Sequence, residues 1–179
     1  MKINGKHASR ILVSLLCLFL LLAVPAAAKK NGDKGAAQQK PTITAEQAIS
    51  SVKGALPKLT VGKSFIKTGK RGDKKLEVTL LLDGKIVSRV KLNPRTGEIL
   101  PKGQDIFTQE VSASPEQAVN IVQQALPNLE VASVRLGKQG EWKVDLTLKK
   151  AVVASLSVHG GNGSILPDWK AERDATMSQ

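Results

Sequence analysis

The chain has 179 residues, a formal net charge of +12, a single cysteine and few aromatic residues: three Phe, two Trp and no Tyr. That inventory excludes a disulfide-stapled fold and a cysteine-based metal site, and it leaves branched aliphatic side chains to build any core. At this length the chain is one ordinary domain or two very small ones.

The N-terminus is a separate object. Lys2, Lys6 and Arg10 precede an uncharged run over residues 11–24 that is apolar except for Ser14, and Pro25, Ala26, Ala27 and Ala28 follow. This pattern predicts a secretory signal peptide over residues 1–28, cleaved between Ala28 and Lys29. An uncleaved anchor is the alternative, because residues 11–28 are uncharged and close to a bilayer span in length. Cys17 follows Leu16 rather than a small residue, so it reads as a member of the apolar run and not as a lipid-attachment site. The expected localisation is periplasmic or secreted, with no membrane span after processing. Residues 29–41, KKNGDKGAAQQKP, contain no large apolar residue and read as a flexible linker.

A repeat follows. EQAISSVKGALPKLTV at 46–61 returns as EQAVNIVQQALPNLEV at 116–131. The copies align without a gap from 44–61 to 114–131 and resume, four residues shorter, from 76–101 to 142–167. Thr44 and Ser114 are N-cap types with Gln47 and Gln117 three residues on, which predicts capping boxes. Ala48, Ile49, Val52, Ala55 and Leu56 form one apolar stripe, and Ala118, Val119, Val122, Ala125 and Leu126 repeat it. Pro57 and Pro127 end both helices.

Strands follow each helix. Leu76, Val78, Leu80 and Leu82 alternate with Glu77 and Thr79, Asp83-Gly84 signals a two-residue hairpin, and Ile86, Ser88, Val90 and Leu92 alternate with Arg89 and Lys91. The second copy has Trp142, Val144, Leu146 and Leu148, a turn at Lys149-Lys150 without glycine, and then Val152, Ala154, Leu156 and Val158. An extra strand is expected before each hairpin, around 61–67 and 131–136. NPRTGEIL (93–100) and HGGNGSIL (159–166) read as turns feeding a last short strand, with Gly97 and Gly163 suited to a left-handed residue. The expected fold class is α+β: two tandem repeats, each one helix packed on a three- or four-stranded antiparallel sheet. Repeat 1 spans 42–103, a linker 104–111, repeat 2 112–167, and a polar tail 168–179 whose one apolar anchor is Trp169.

The residues carry no catalytic constellation. In the processed chain His159 is the single histidine, set in a Gly-rich turn without paired carboxylates in sequence, so no metal site, cofactor or triad is expected. The RGD at 71–73 sits in a charged loop and reads as a turn rather than an adhesion motif. Charge is informative: residues 42–103 carry 13 Lys/Arg against 5 Asp/Glu, whereas 112–179 carry 7 of each. Lys63, Lys67, Lys70, Arg71, Lys74 and Lys75 gather around one loop, an expected contact for anionic partners. Nucleic acid is disfavoured, since no aromatic residue interleaves these lysines. The closing turns, through Asn93, Arg95, Thr96, Gly97, Glu98, His159, Asn162 and Gly163, are the expected exposed protein contacts. The second copy is the better candidate for protein contact and the first for electrostatic capture.

ITAEQAISSVKGALP followed by a charged hairpin and VKLNPRTGEIL resembles the PepSY domain family. The first copy matches through Thr44, Glu46, Ala48, Thr96, Gly97, Glu98 and Leu100, with Asn93 where the family usually has Asp. The second keeps Ser114, Glu116, Ala118, Gly163, Ile165 and Leu166 but has Asn162 and Ser164 in place of Thr and Glu. The resemblance implies a non-enzymatic exported protein-binding module that regulates or inhibits an extracytoplasmic peptidase. The alternative is electrostatic binding of an anionic envelope lipid or polymer through the basic first repeat.

Overall fold

The structure, a computed structural model, describes residues 40–178. The expected signal peptide and all but the end of the expected 29–41 linker lie outside the described residues.

Helix α1 (Ala45–Ala55) starts on a closed capping box: Gln47 N donates to Thr44 Oγ1 at 3.3 Å and Thr44 N to Gln47 Oε1 at 2.8 Å. Helix α2 (Pro115–Ala125) repeats this with Ser114 and Gln117 at 3.1 and 2.9 Å. Each helix tightens into a 3-10 turn, Leu56–Lys58 or Leu126–Asn128, that carries the proline. Strands β1 (Thr60–Thr68), β2 (Lys74–Leu82) and β3 (Lys85–Leu92) form one antiparallel meander. Strands β4 (Glu130–Leu136), β5 (Trp142–Leu148), β6 (Ala151–Val158) and β7 (Ile165–Leu166) form the other. In repeat 1 the closing strand shrinks to a single bridge between Leu92 and Ile99. Both hairpins turn through the left-handed region, at Asp83-Gly84 (φ 50° and 75°) and at Lys149-Lys150 (φ 48° and 69°). The second hairpin therefore adopts the same turn without its glycine.

The fold is α+β, with two antiparallel sheets and a helix on each. The helix on each sheet belongs to the other repeat. α1 packs on β4, β5 and β6, and α2 on β1 and β2. Trp142 Nε1 of β5 donates to Ile43 O at 3.1 Å, just before α1, and Ser64 Oγ of β1 donates to Pro115 O in α2, also at 3.1 Å. The crossing is reciprocal in detail. Thr42 N and Ile43 N donate to Gly160 O at 2.7 and 2.9 Å, and their repeat equivalents Ser112 N and Ala113 N donate to Pro94 O at 2.9 and 3.0 Å. Lys102 N reaches Val152 O at 2.6 Å, and its equivalent Asp168 N reaches Ile86 O at 2.8 Å. Because these backbone bonds come in pairs at aligned positions, the two copies are related by a pseudo-two-fold. The picture of each helix lying across its own sheet is thus corrected. An apolar stripe states that a face is buried, not which sheet buries it.

One apolar core results, running from Val52, Leu76, Val78 and Leu80 to Val122, Val144, Leu146 and Leu156. The outer faces of the sheets differ. The tail from Asp168 is a helix, α3 (Trp169–Met177), capped by Asp168 Oδ1 accepting from Ala171 N at 2.9 Å. Ala171, Asp174 and Ala175 are buried, with α3 packed on β1 and β3 opposite the other helices. The anchors are these small residues rather than Trp169, which is 71% exposed. The 104–111 linker is pinned too: Thr108 O accepts from Lys74 N at 2.7 Å. No helix among the described residues is long and apolar enough to cross a membrane.

Candidate binding groove

The basic cluster does not present itself as one exposed patch. Lys63, Lys70 and Arg71 are exposed, whereas Lys67, Lys74 and Lys75 are partly buried. Lys67 Nζ pairs with Asp174 at 2.6 Å, and Lys74 Nζ donates to Thr68 Oγ1 at 2.9 Å. Lys75 Nζ donates to Asp105 at 3.0 Å, which raises its pKa. Hydrogen bonds from Lys91 and Lys75 in turn hold the Asp105 carboxyl below the ordinary carboxylate range. In the RGD, Asp73 is buried against Gly69, so the tripeptide is a turn whose carboxylate is not presented.

The closing turns are an internal seam. Arg95, Thr96, Glu98, His159 and Asn162 are exposed, but Gly97 is buried and Asn93 and Gly163 are half-buried. Gly97 faces Ile121 of α2, and Gly163 faces Ser51 of α1. The expected exposure holds for Arg95, Thr96, Glu98, His159 and Asn162 but not for Gly97, because the inner faces of both turns receive the exchanged helices. Their differing residues perform the same bonds. Asn93 Oδ1 accepts from Arg95 N at 2.9 Å, and at the aligned position His159 Nδ1 accepts from Gly161 N at 3.0 Å. Thr96 Oγ1 accepts from Glu98 N at 3.3 Å, and Asn162 Oδ1 from Ser164 N at 3.0 Å. His159 is a turn cap. Among the described residues no cluster of His, Cys, Asp or Glu could hold a metal ion.

A different site is assembled on the sheets' outer faces, where β3 and β6 meet. Ser88 Oγ donates across this seam to Ser155 O at 2.8 Å. A groove of about 520 Å³ lies over the seam, lined by residues of both repeats, the closing segments and α3. Three of its lining residues, Lys102, Arg135 and Ser155, meet at Asp145, whose side chain is 8% exposed. Asp145 accepts from Ser133 Oγ at 2.9 Å, from Arg135 Nη1 and from Ser155 Oγ, with Lys102 Nζ at 3.6 Å. Desolvation pushes the Asp145 carboxyl upward, but the bonds from Ser155 and Ser133 and the charges of Lys102 and Arg135 outweigh it and leave the pKa lowered. A buried carboxylate so surrounded is satisfied rather than reactive.

Lys102 has its pKa lowered, first by burial and then by Arg135 and Lys143, against the opposing pull of Asp145. It donates to Ser155 Oγ, which itself donates to Asp145. The hydrogen bonds run from lysine through hydroxyl to carboxylate, so this is an ion pair relayed by a serine and not a base withdrawing a serine proton. Arg89, on the repeat-1 side, pairs with Glu77 at 2.7 Å and with Asp174 at 2.9 Å. Asp168 is engaged as the cap of α3. The lining acids are therefore already bonded, while the side chains of Lys102, Arg135 and Lys143 remain 43, 50 and 40% exposed. The lining is therefore rich in cations. Sequence reading missed these residues because they lie on a closing segment, β4 and β5, far apart in the chain and not in a charge run.

Comparison with protein-family models, with curated proteins and with solved structures returned no significant match.

Proposed function

We propose that this chain is an exported, non-enzymatic protein-binding module that regulates or inhibits an extracytoplasmic peptidase. The carrying observation is the cation-lined groove, which two mutually braced sheets present on an outer face. Support comes also from the signal-peptide pattern, from the PepSY-like helix and closing-turn motifs, and from a scaffold whose halves hold each other in place. A preformed face whose cations keep much of their side-chain surface exposed lowers the ordering cost of binding. The test is capture from the organism's own envelope extract with the chain processed after Ala28, followed by peptidase assays on what is retained. Recovery of a peptidase whose rate changes with added chain is expected. Recovery of lipid or polysaccharide alone would overturn the reading, and turnover of a small substrate lost on removing His159 or Ser155 would overturn the non-enzymatic assignment.

A second reading is electrostatic binding to an anionic envelope surface through repeat 1. The exposure of Lys63, Lys70 and Arg71 favours it. It requires adhesion to anionic vesicles that weakens steeply as the screening length falls from about 10 Å at 0.1 M salt to about 3 Å at 1 M, and that is lost when these three residues become Gln.

A further inference from the structure

The two sheets invite comparison of their outer faces. On the β1–β3 sheet that face is covered by α3, which inserts the Asp174 carboxylate between Lys67 Nζ at 2.6 Å and Arg89 Nη1 at 2.9 Å and packs Ala171 and Ala175 beside it. Aligned strand positions give the counterpart on the other sheet: Arg135 stands where Phe65 does, Lys143 for Glu77, and Ser155 for Arg89. Where repeat 1 offers an apolar ring, an acid and a base, repeat 2 offers two cations and a hydroxyl. Among the described residues no helix is packed across them.

We infer that the outer face of the β4–β6 sheet receives an acidic segment of a partner protein, seated where the pseudo-two-fold would place a counterpart of α3. The inference rests on the binding-module reading for the partner being a protein. Charge complementarity selects the chemistry, because Arg135, Lys143, Lys102 and Lys170 converge on the groove while its own acids are already bonded. Shape then selects a peptide over a headgroup. Pro167 and Trp169 line the groove as an apolar strip, Pro167 half-buried and Trp169 71% exposed. An exposed tryptophan beside a cationic groove is the residue type that anchors protein interfaces. A lipid headgroup would use the cations but leave this apolar strip idle. The occupant that fits carries carboxylates and apolar side chains together, as Asp174 with its flanking alanines does on the other sheet.

The experiment uses the processed full chain and a fluorescent oligopeptide alternating glutamate with leucine. Saturable binding is expected, with a change in Trp169 emission that is absent in Trp169→Phe. Lys143→Glu removes a partly exposed pair with Glu141 at 3.5 Å and leaves the bonds to Asp145 intact. It should weaken binding at least about tenfold, and Arg135→Gln with Lys143→Gln should weaken it further. The triple change of Lys63, Lys70 and Arg71 to Gln should leave it unaltered. Circular dichroism of each variant separates lost binding from lost folding. Equal loss in the two sets, equal binding of a lysine–leucine peptide, or groove-dependent binding of phosphatidylglycerol vesicles but not of the peptide would overturn the inference. Peptide binding that follows the groove variants supports it even where no peptidase responds, an outcome that removes the regulatory reading alone.

Discussion

At the scale of single residues, the seam between the repeats rests on atoms that tolerate little. A Cβ built on Gly160 would lie 2.1 Å from Gly140 O and 3.0 Å from Pro41, and Gly160 O is the acceptor that docks the start of α1. Gly160→Ala should therefore lower stability by about 2 kcal/mol through overpacking. Gly54, by contrast, lies in α1 with nothing within 4 Å of such a Cβ, so Gly54→Ala should raise stability by about 0.5–1 kcal/mol. Urea melts of the two variants check both signs.

Asp174 gives a pH dependence. Desolvation opposes its ionisation, but Lys67 and Arg89 overcome that and hold its pKa at about 2, below the ordinary carboxylate value of 3.8. The folded pKa lies below the unfolded one, so the stabilisation is complete above the unfolded value and disappears as pH falls through about 2. Its size is about 1–2 kcal/mol at neutral pH after allowance for solvent screening. Unfolding titrations of Asp174→Asn and the natural chain should converge as the pH approaches 2 and separate above pH 4.

At the scale of elements, hairpin β5–β6 is the one whose sequence and conformation disagree. Lys149 and Lys150 both have positive φ, at 48° and 69°, where the equivalent turn has Asp83 and Gly84. Non-glycine residues in that region cost about 1 kcal/mol each. Lys149→Asn with Lys150→Gly should raise stability by about 1 kcal/mol and the melting temperature by about 4 °C. Scanning calorimetry checks it, and no rise would mean that the turn is relaxed in solution. α3 makes the complementary point. Its buried residues are two alanines and an aspartate, a pattern that reads as polar because the helix buries an ion-pair network instead of an apolar stripe.

At the scale of the whole molecule, exchange of helices makes the repeats interdependent. Repeat 1 alone would leave the apolar face of β1 and β2 without α2, and repeat 2 alone would leave β4, β5 and β6 without α1. Units of about 60 residues are marginal even when complete. Residues 40–103 and 104–178, expressed separately, should each lack cooperative unfolding as monomers, and mixing them should restore the circular dichroism and melting profile of the full chain. A separately folded, monomeric 40–103 would refute the exchange. The duplication thus has a structural consequence: each copy supplies what the other cannot bury alone.

Local chemistry alone determined the capping boxes at Thr44 and Ser114, the proline stops, the strand alternation and the Asp83-Gly84 turn, because each depends on bonds within a few residues. The same locality made the outer extra strands and the α+β class readable. Three things were decided only in three dimensions: which sheet each helix covers, the conversion of the tail into α3, and the convergence of Lys102, Arg135 and Lys143 on one groove. The physical reason is common to all three. Hydrophobic periodicity and charge runs record that a face wants burial or a counter-charge, but the partner that supplies it lies a repeat away along the chain.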